Sequence, residues 1–237
     1  MIKINNLTKK YKNKLAVDNL NLEIKTGELF SLLGTNGAGK TTTIKMLSSL
    51  ILPSSGTAVI NDFDLVKNRN KIREIINISP QETAVAPNLT VLENLYFMAG
   101  IYQIKNKKKK IEELISLFKL EEVLKQKAKT LSGGYQRKLS IAISLINDPL
   151  ILFLDEPTLG LDVISRQDLW KVINSLKGKT TIILTTHYME EAEKLSDRIG
   201  IMNKGKLIEV GTSKELMKKA KTKTFEDAFI KIVESDV

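Results

Sequence analysis

GTNGAGKT, residues 34–41, decides the fold of this chain, because it fits the pattern G-x-x-x-x-G-K-[ST] of a phosphate-binding loop. The apolar run LFSLL precedes it at 29–33, and apolar residues at helical spacing follow it at Ile44, Leu47 and Leu50. A strand is therefore predicted to lead into the glycine-rich turn, and a helix to leave it. This order of strand, loop and helix predicts an α/β protein that binds a nucleotide.

The residue types of the loop suit contact with a triphosphate. Gly34, Gly37 and Gly39 allow the backbone to approach the ligand, so that its N–H groups can surround phosphate oxygens. The start of the following helix adds a favourable dipole. Lys40 is predicted to reach the β- and γ-phosphates, and the Thr41 hydroxyl to bind Mg²⁺. The loop positions predicted to bind the nucleotide are Gly34, Thr35, Asn36, Gly37, Ala38, Gly39, Lys40, Thr41 and Thr42.

Length and composition restrict the class of protein. A chain of 237 residues, 42% of them apolar, is long enough for one large domain or for a core with a subdomain. It contains no cysteine, which excludes a disulfide framework and a thiolate metal site and suits the cytosol. Apolar runs such as ILFL at 151–154 are far too short to span a bilayer, and the N-terminus lacks the apolar region of a signal peptide. We therefore expect a cytoplasmic protein.

The formal net charge of +10 is carried in part by lysine runs at 107–110 and 218–223. Solvated helix faces account for these runs most simply, while anionic lipid headgroups and nucleic acid are alternative partners. Aromatic residues are not interleaved with the runs, as they are in grooves for single-stranded nucleic acid. Nucleic acid is therefore not expected as a partner.

Hydrophobic patterning predicts a parallel α/β sheet. Residues 20–24 alternate apolar and polar side chains, as a half-buried strand does. The runs at 150–154 and 180–185 are typical of strands covered on both faces, and an amphipathic helix is predicted between them. Further strands are predicted at 2–4, 57–60, 74–78, 199–202 and 207–208.

Residues 81–147 carry helical signals instead. Thr90 and Glu93 form a capping box at the start of one predicted helix, and Ile111, Leu114 and Phe118 lie on one side of a second. A third helix is predicted after Leu131. We therefore predict a helical subdomain at 81–147, inserted into an α/β core formed by 1–80 and 148–237.

An acidic pair follows the buried run at 150–154. Asp155 is predicted to hold Mg²⁺, directly or through water. Glu156 lies one residue further and so points elsewhere, where it can polarise the water that attacks the γ-phosphate. The position of both acids downstream of a phosphate-binding loop favours this interpretation over an ordinary acidic turn.

LSGGYQ at 131–136 stands before the third predicted helix. With the phosphate-binding loop upstream and the acidic pair downstream, the sequence resembles the ATP-binding subunits of ABC transporters, whose signature is LSGG. Ser132, Gly133 and Gly134 offer a hydroxyl and N–H groups at a helix start, which is a second anion site. The resemblance implies a P-loop NTPase fold with a RecA-like core, an N-terminal antiparallel β region, and a head-to-tail dimer in which this signature caps the γ-phosphate held by the other subunit.

The same resemblance implies roles for four further residues. Tyr11 stands where the family has an aromatic ring that stacks on adenine. Gln81 matches a glutamine that reaches Mg²⁺ and the attacking water and connects the site to the helical subdomain. Asp162 matches the loop that crosses the dimer interface. His187, the one histidine of the sequence, matches the switch histidine that contacts the γ-phosphate.

The sequence departs from the common family pattern at two places. Tyr135 follows LSGG where many members have glutamine, and the crossing loop reads LGLD where many have SALD. The stretch TTHYMEEAEKLSDRI at 185–199 is most similar to the drug- and polyketide-exporter branch. The resemblance thus implies export driven by ATP and Mg²⁺, with a polytopic membrane permease as partner. It also implies a homodimer or a pair with another ABC ATPase, peripheral on the inner face of the cell membrane.

Two other functions remain open from the sequence. One is a soluble ABC ATPase that acts on ribosomes or DNA, although such relatives carry two tandem cassettes or long coiled coils that this chain lacks. The other is a nucleotide-gated regulatory protein that hydrolyses little ATP. The presence of Glu156 and His187 argues against that second alternative.

Overall fold

A mostly parallel sheet lies at the centre of the molecule, and the computed structural model describes residues 1–235. The strands are β1 (Ile2–Tyr11), β2 (Lys14–Ile24), β3 (Leu29–Gly34), β4 (Ser55–Ile60), β5 (Phe63–Asp64), β6 (Ile76–Ser79), β7 (Ile151–Asp155), β8 (Thr181–Thr186), β9 (Arg198–Asn203) and β10 (Lys206–Gly211). The helices are α1 (Lys40–Leu47), α2 (Arg69–Ile75), α3 (Val91–Ile101), α4 (Lys107–Phe118), α5 (Gly133–Ser144), α6 (Val163–Ser175), α7 (Met189–Leu195), α8 (Ser213–Ala220) and α9 (Phe225–Glu234).

The central sheet has the strand order β10-β9-β3-β8-β7-β6. Its strands pair in parallel except for β10, which forms an antiparallel hairpin with β9. A second sheet, with the order β2-β1-β4-β5, is antiparallel throughout. The predicted parallel α/β sheet and the antiparallel β region near the N-terminus are therefore both confirmed.

Alternate side chains of the buried strands enter two apolar layers, as the period of two requires. Leu152 and Leu154 of β7 pack with side chains of α3, α4, α5 and α6. Ile151 and Phe153 pack on the opposite face, with α1 and the antiparallel sheet. Because both faces of β7 are covered, its sequence reads as a continuous apolar run.

Helices α3, α4 and α5 occupy the chain between β6 and β7, in the region with helical signals. The predicted capping box is present at the start of α3. Thr90 Oγ1 accepts from the Glu93 N–H at 3.2 Å, and Glu93 Oε2 accepts from the Thr90 N–H at 2.7 Å. Ile111, Leu114 and Phe118 of α4 are buried as their spacing predicts.

Several predicted strand boundaries are wrong. Glu74 and Ile75 belong to α2, and β6 begins at Ile76, because a short apolar run fits helix and strand equally well. β1 extends to Tyr11, since register shifts after Ile4 break the period of two that the sequence shows. β7 and β8 each lie one residue later than predicted.

Within residues 1–235, no helix combines the length and the apolar character that are required to cross a bilayer.

Candidate active site

Four neighbouring parallel strands end at one edge of the central sheet. The phosphate-binding loop follows β3, and His187 follows β8, which lies between β3 and β7. Asp155 ends β7 with Glu156 directly after it, and Gln81 lies two residues beyond the end of β6. Because carboxyl ends of parallel strands meet at one edge, this topology assembles residues from 34 to 187 into one site.

The loop after β3 needs glycine at two of its positions. Gly39 caps α1 with a φ of 103°, and a Cβ there would lie 2.5 Å from the Ala16 carbonyl oxygen. A Cβ at Gly34 would lie 2.4 Å from the Met202 carbonyl oxygen. The backbone of β2 and β9 thus packs directly against the loop, which fixes its shape.

Lys40, Glu156 and His187 form a continuous line of contacts. Lys40 Nζ lies 3.2 Å from Glu156 Oε1, and His187 Nδ1 lies 2.8 Å from Glu156 Oε2. Lys40 Nζ also donates to the carbonyl oxygens of Gly34, at 2.7 Å, and Thr35, at 3.2 Å. The side chains of Lys40 and Glu156 are each 6% exposed, so the pair is shielded from solvent. A phosphate that binds Lys40 must compete with the oxygens of Glu156, Gly34 and Thr35.

The two adjacent carboxylates have different partners. Glu156 has a φ of 50°, which is uncommon for a residue other than glycine, and its N–H donates to the Thr185 carbonyl oxygen at 3.1 Å. Asp155 Oδ1 accepts from Thr41 Oγ1 at 3.0 Å and from Thr185 Oγ1 at 2.5 Å. A carboxylate beside a hydroxyl is the donor set that Mg²⁺ takes together with nucleotide phosphates, so these residues fit that ion.

A cavity of about 420 Å³ lies in front of this line, within the size range of small-molecule sites. It is lined by Lys14, Ala16, Asn36, Gly37, Ala38, Gly39, Lys40, Thr41, Thr42, Gln81, Glu156, Leu159 and His187. Of these, Lys14, Ala16 and Leu159 were not predicted. Leu159 begins the stretch LGLD, for which the resemblance implies a place at the dimer interface, and Lys14 and Ala16 lie on β2, which carries no motif.

Four residues predicted for the nucleotide and metal site lie behind the lining or beside it, as far as residues 1–235 show: Tyr11, Gly34, Thr35 and Asp155. Asp155 is joined to the cavity through Thr41, whose hydroxyl donates to it. Gly34 and Thr35 contribute to the site through the carbonyl oxygens that hold Lys40. Tyr11 is 45% exposed at the end of β1, with Lys9 Nζ 5.1 Å from its ring centroid, and its strand partner Lys14 lines the cavity. A contact between Tyr11 and adenine stays a prediction.

The signature residues begin α5 on the surface. Ser132 Oγ accepts from the Tyr135 N–H at 3.4 Å, and Ser132 and Gly133 are exposed. A Cβ at Gly134 would lie 2.9 Å from Ser165 Oγ, so the start of α5 packs against α6. Within the described part of the chain, these residues do not line the cavity of their own subunit.

Asp162 caps α6 next to the signature residues. Its Oδ1 accepts from the N–H groups of Ile164, at 2.9 Å, and Ser165, at 3.0 Å. The Ser165 hydroxyl donates to Oδ2 at 2.6 Å, and this bond holds the pKa of Asp162 below its ordinary value. Asp162 therefore orders the start of α6, after the segment that follows β7.

Two buried charged residues near the site were not predicted from the sequence. Arg137 of α5 is 4% exposed and donates to the carbonyl oxygens of Pro80, at 2.7 Å, and Gln81. Glu191 of α7 is fully buried, and its Oε1 accepts from Thr158 Oγ1 at 2.8 Å and Trp170 Nε1 at 3.0 Å. Neither has a sequence signal, because charged helical residues normally face solvent.

The electrostatics of these two residues follow from their burial. Burial lowers the pKa of the Arg137 guanidinium, while the carboxylates of Asp155 and Glu191 favour its charged form. Burial raises the pKa of Glu191 above its ordinary value of 4.5, against the effect of its hydrogen bonds, and the charge of Glu156 acts in the same direction as burial.

The fold and the arrangement of strand ends are those of a P-loop NTPase. A family model described as ABC transporter matches residues 17–159, which is more than half of the chain. The chain therefore belongs to the ABC transporter family.

The relatives and solved structures agree with this assignment. The chain is 39% identical to the probable multidrug ABC transporter ATP-binding protein YbhF of Escherichia coli (strain K12), over 98% of this chain and 42% of YbhF. It is 40% identical to the linearmycin resistance ATP-binding protein LnrL of Bacillus subtilis (strain 168), over 91% of this chain and 70% of LnrL. The chain thus spans less than half of YbhF and most of LnrL.

Two solved structures share the fold. The ATP-binding subunit of an ABC transporter matches with a TM-score of 0.88 and 26% identity, over 98% of this chain and 99% of that one. A dimeric ATP-binding cassette in a post-hydrolysis state, bound to ADP and Pi, matches with a TM-score of 0.81 and 29% identity, over 90% of this chain and 98% of that one.

Proposed function

We propose that this chain binds and hydrolyses ATP as the ATPase subunit of an ABC transporter and powers export through a separate membrane subunit. One observation carries the proposal: Glu156 is held between Lys40 and His187 at a cavity bounded by the phosphate-binding loop. YbhF is described as a multidrug transporter protein and LnrL as a linearmycin resistance protein, and both descriptions favour export. They also favour transport over action on ribosomes or DNA.

The chemistry follows from the contacts of these residues. Lys40 leaves Glu156 and binds the β- and γ-phosphates of ATP, and the N–H groups of the loop surround the remaining phosphate oxygens. A water molecule then attacks the γ-phosphorus while the bond to the bridging oxygen breaks, and Glu156 accepts the proton of that water. His187, in contact with Glu156 Oε2, orients the carboxylate and lies close enough to the cavity to meet the γ-phosphate.

Mg²⁺ would be held by Thr41, Asp155 and Gln81, of which Thr41 and Gln81 line the cavity. When bound, the ion would neutralise negative charge on the phosphates. Thr185 keeps Asp155 in place, because its hydroxyl donates to the same carboxylate oxygen as Thr41.

A dimer would complete the site. Ser132 and Gly133 are exposed at the start of α5, where backbone N–H groups have no partner within the helix and a γ-phosphate bound by a second subunit would meet them. The cassette bound to ADP and Pi has the same fold and is dimeric, which supports a dimer for this chain. The second subunit is either another copy of this chain or a different ABC ATPase.

The proposed helical subdomain, 81–147, would carry the surface for the membrane subunit. Tyr96, Phe97 and Ile101 of α3 are 44%, 55% and 57% exposed. Three large apolar side chains within two helical turns favour a protein partner over solvent. We place this chain on the inner face of the membrane, with α3 against the permease. When ATP binds, the core formed by 1–80 and 148–237 would close and move the subdomain.

Affinity purification of the full chain from its native cell in mild detergent tests the proposal. A polytopic membrane protein should co-purify in stoichiometric amount, and the complex should hydrolyse ATP. Phe97→Glu should lose the membrane protein but keep ATP binding. Leu50→Glu, at a side chain that is also 55% exposed but follows α1, is the matched control and should keep the partner. Recovery of ribosomes or DNA in place of a membrane protein would overturn the transport proposal.

A further inference from the structure

Arg137 is a buried cation that joins the signature helix to the segment that carries Gln81. Its guanidinium donates through Nη1 to the Pro80 carbonyl oxygen at 2.7 Å and through Nη2 to the carbonyl oxygen of Gln81. The planar fork of arginine matches two acceptors on consecutive residues, which the single ammonium group of lysine cannot do. Pro80 and Gln81 are the two residues that follow β6 as the chain leaves the sheet.

A buried guanidinium is costly unless its donors are satisfied. Arg137 is 4% exposed, and arginine remains charged in proteins, so the charge is carried into the interior. Hydrogen bonds from a charged donor are about twice as strong as neutral ones, and two of them offset this cost. The carboxylates of Asp155 and Glu191 add favourable charge from β7 and α7. The peptide units that Arg137 holds therefore have one strongly favoured position relative to α5.

We propose that Arg137 is a positioning residue for Gln81. Arg137 makes the position of the glutamine side chain at the cavity depend on the position of α5. The inference rests on the proposed role of Gln81 in hydrolysis. Gln81 lines the cavity, while Arg137 does not, so Arg137 acts on the reaction through the backbone of 80–81. Because α5 begins with the signature residues, a nucleotide that draws the start of α5 towards a second subunit also moves the glutamine of this subunit.

A purely structural role can be separated from this one, because the chain offers a second contact between α5 and β6. Ser140, nearly one helical turn after Arg137, shares a hydrogen bond of 3.2 Å with Ser79, the last residue of β6. This contact joins the same helix to the same strand one residue before Pro80 and does not involve Gln81. Ser140→Ala is therefore the matched control for loss of attachment between the two elements.

The test compares Arg137→Met, Arg137→Lys and Ser140→Ala in the full chain. Arg137→Met removes both donors but keeps a long apolar side chain, and Arg137→Lys keeps the charge if the first variant does not fold. We expect either Arg137 variant to lower kcat about 10–100-fold, the range for a displaced active-site group, with the Kd for ATP within about twofold of the parent. Ser140→Ala should leave kcat within about twofold.

A double-mutant cycle with Gln81→Ala decides whether Arg137 acts through the glutamine. If it does, Arg137→Met should have little further effect on kcat once Gln81 is alanine, so the two losses are not multiplicative. Multiplicative losses, or a loss of kcat in Ser140→Ala equal to that in Arg137→Met, would overturn the inference while leaving the role of Gln81 in place. An unchanged kcat in Gln81→Ala alone would overturn both.

Discussion

Glu156 Oε1 lies 3.2 Å from Lys40 Nζ, and both side chains are 6% exposed. The proposed general base and the proposed phosphate ligand thus neutralise each other across the gap between β7 and the phosphate-binding loop. His187 contacts the other carboxylate oxygen of Glu156 at 2.8 Å. Binding of ATP must exchange this ion pair for one between Lys40 and phosphate, which leaves Glu156 available to accept a proton.

Substitution of Glu156 by glutamine should separate binding from hydrolysis. We expect Glu156→Gln to lower the rate of ATP hydrolysis by ~10²–10⁴-fold, the usual contribution of a general base. ATP should bind at least as tightly as in the parent chain, since Lys40 no longer has a carboxylate as competitor. Single-turnover hydrolysis and equilibrium binding measure the two effects. Glu190→Gln, at an exposed glutamate of α7, is the control, and near-normal turnover in Glu156→Gln would remove Glu156 from its role.

The ion pair should also be visible in stability. Lys40→Ala leaves Glu156 buried without its cation, and loss of one partner from a buried pair costs about 3–5 kcal/mol of unfolding free energy. The double variant Lys40→Ala with Glu156→Gln should recover most of that loss, because the uncompensated charge is gone. Urea denaturation measures both values.

A solvent-exposed ion pair is the control for these unfolding free energies. Lys194→Ala breaks the exposed pair with Glu190, at 2.7 Å, and should cost no more than about 1 kcal/mol. ATP binding should be weakened in both variants that lack Lys40. Equal stability of the single and double variants would mean that the buried charge is compensated elsewhere.

Local sequence patterns predicted the local parts of this structure well. The strand before residues 34–41, the helix after them and the capping box of Thr90 and Glu93 depend on neighbours in the sequence, and all three are present. The same dependence explains the wrong strand at 74–78, where two helical residues and a strand share one isoleucine-rich run.

The contacts between distant residues could not be predicted in the same way. Lys40 and Glu156 are both in motifs, yet their pairing depends on β3 and β7 flanking β8, which no local pattern specifies. Arg137 reaches Gln81 across 56 residues, and its place on a helix favours solvent exposure by default. Lys14 lines the cavity because β2 passes beside Gly39, a contact between two sheets.

The phosphate-binding loop should respond differently to alanine at its two central glycines. Gly39→Ala places a Cβ 2.5 Å from the Ala16 carbonyl oxygen at a φ of 103°, so the loop or β2 must move. Gly37 has a φ of 82° and open space where a Cβ would be added, so Gly37→Ala adds only backbone strain of roughly 1–2 kcal/mol. Thermal unfolding and ATP binding should both be affected more strongly by Gly39→Ala. Equal effects would show that the close approach of β2 does not shape the loop.

Glu191 should make stability depend on pH in the direction opposite to that of most carboxylates. Its folded-state pKa is raised above 4.5 by burial, so the native chain binds a proton more tightly than the unfolded chain. Stability from this group is therefore fully present below about pH 4.5 and is lost as pH rises through the raised pKa. Glu191→Gln keeps an oxygen acceptor for Thr158 and Trp170 without the charge, so it should raise the Tm at pH 7–8 and lose that advantage near pH 4.

Glu193→Gln, at an exposed position of the same helix, should shift the Tm little at any pH. A Tm of Glu191→Gln below that of the parent chain at neutral pH would mean that the carboxylate is stabilised as an anion despite its burial.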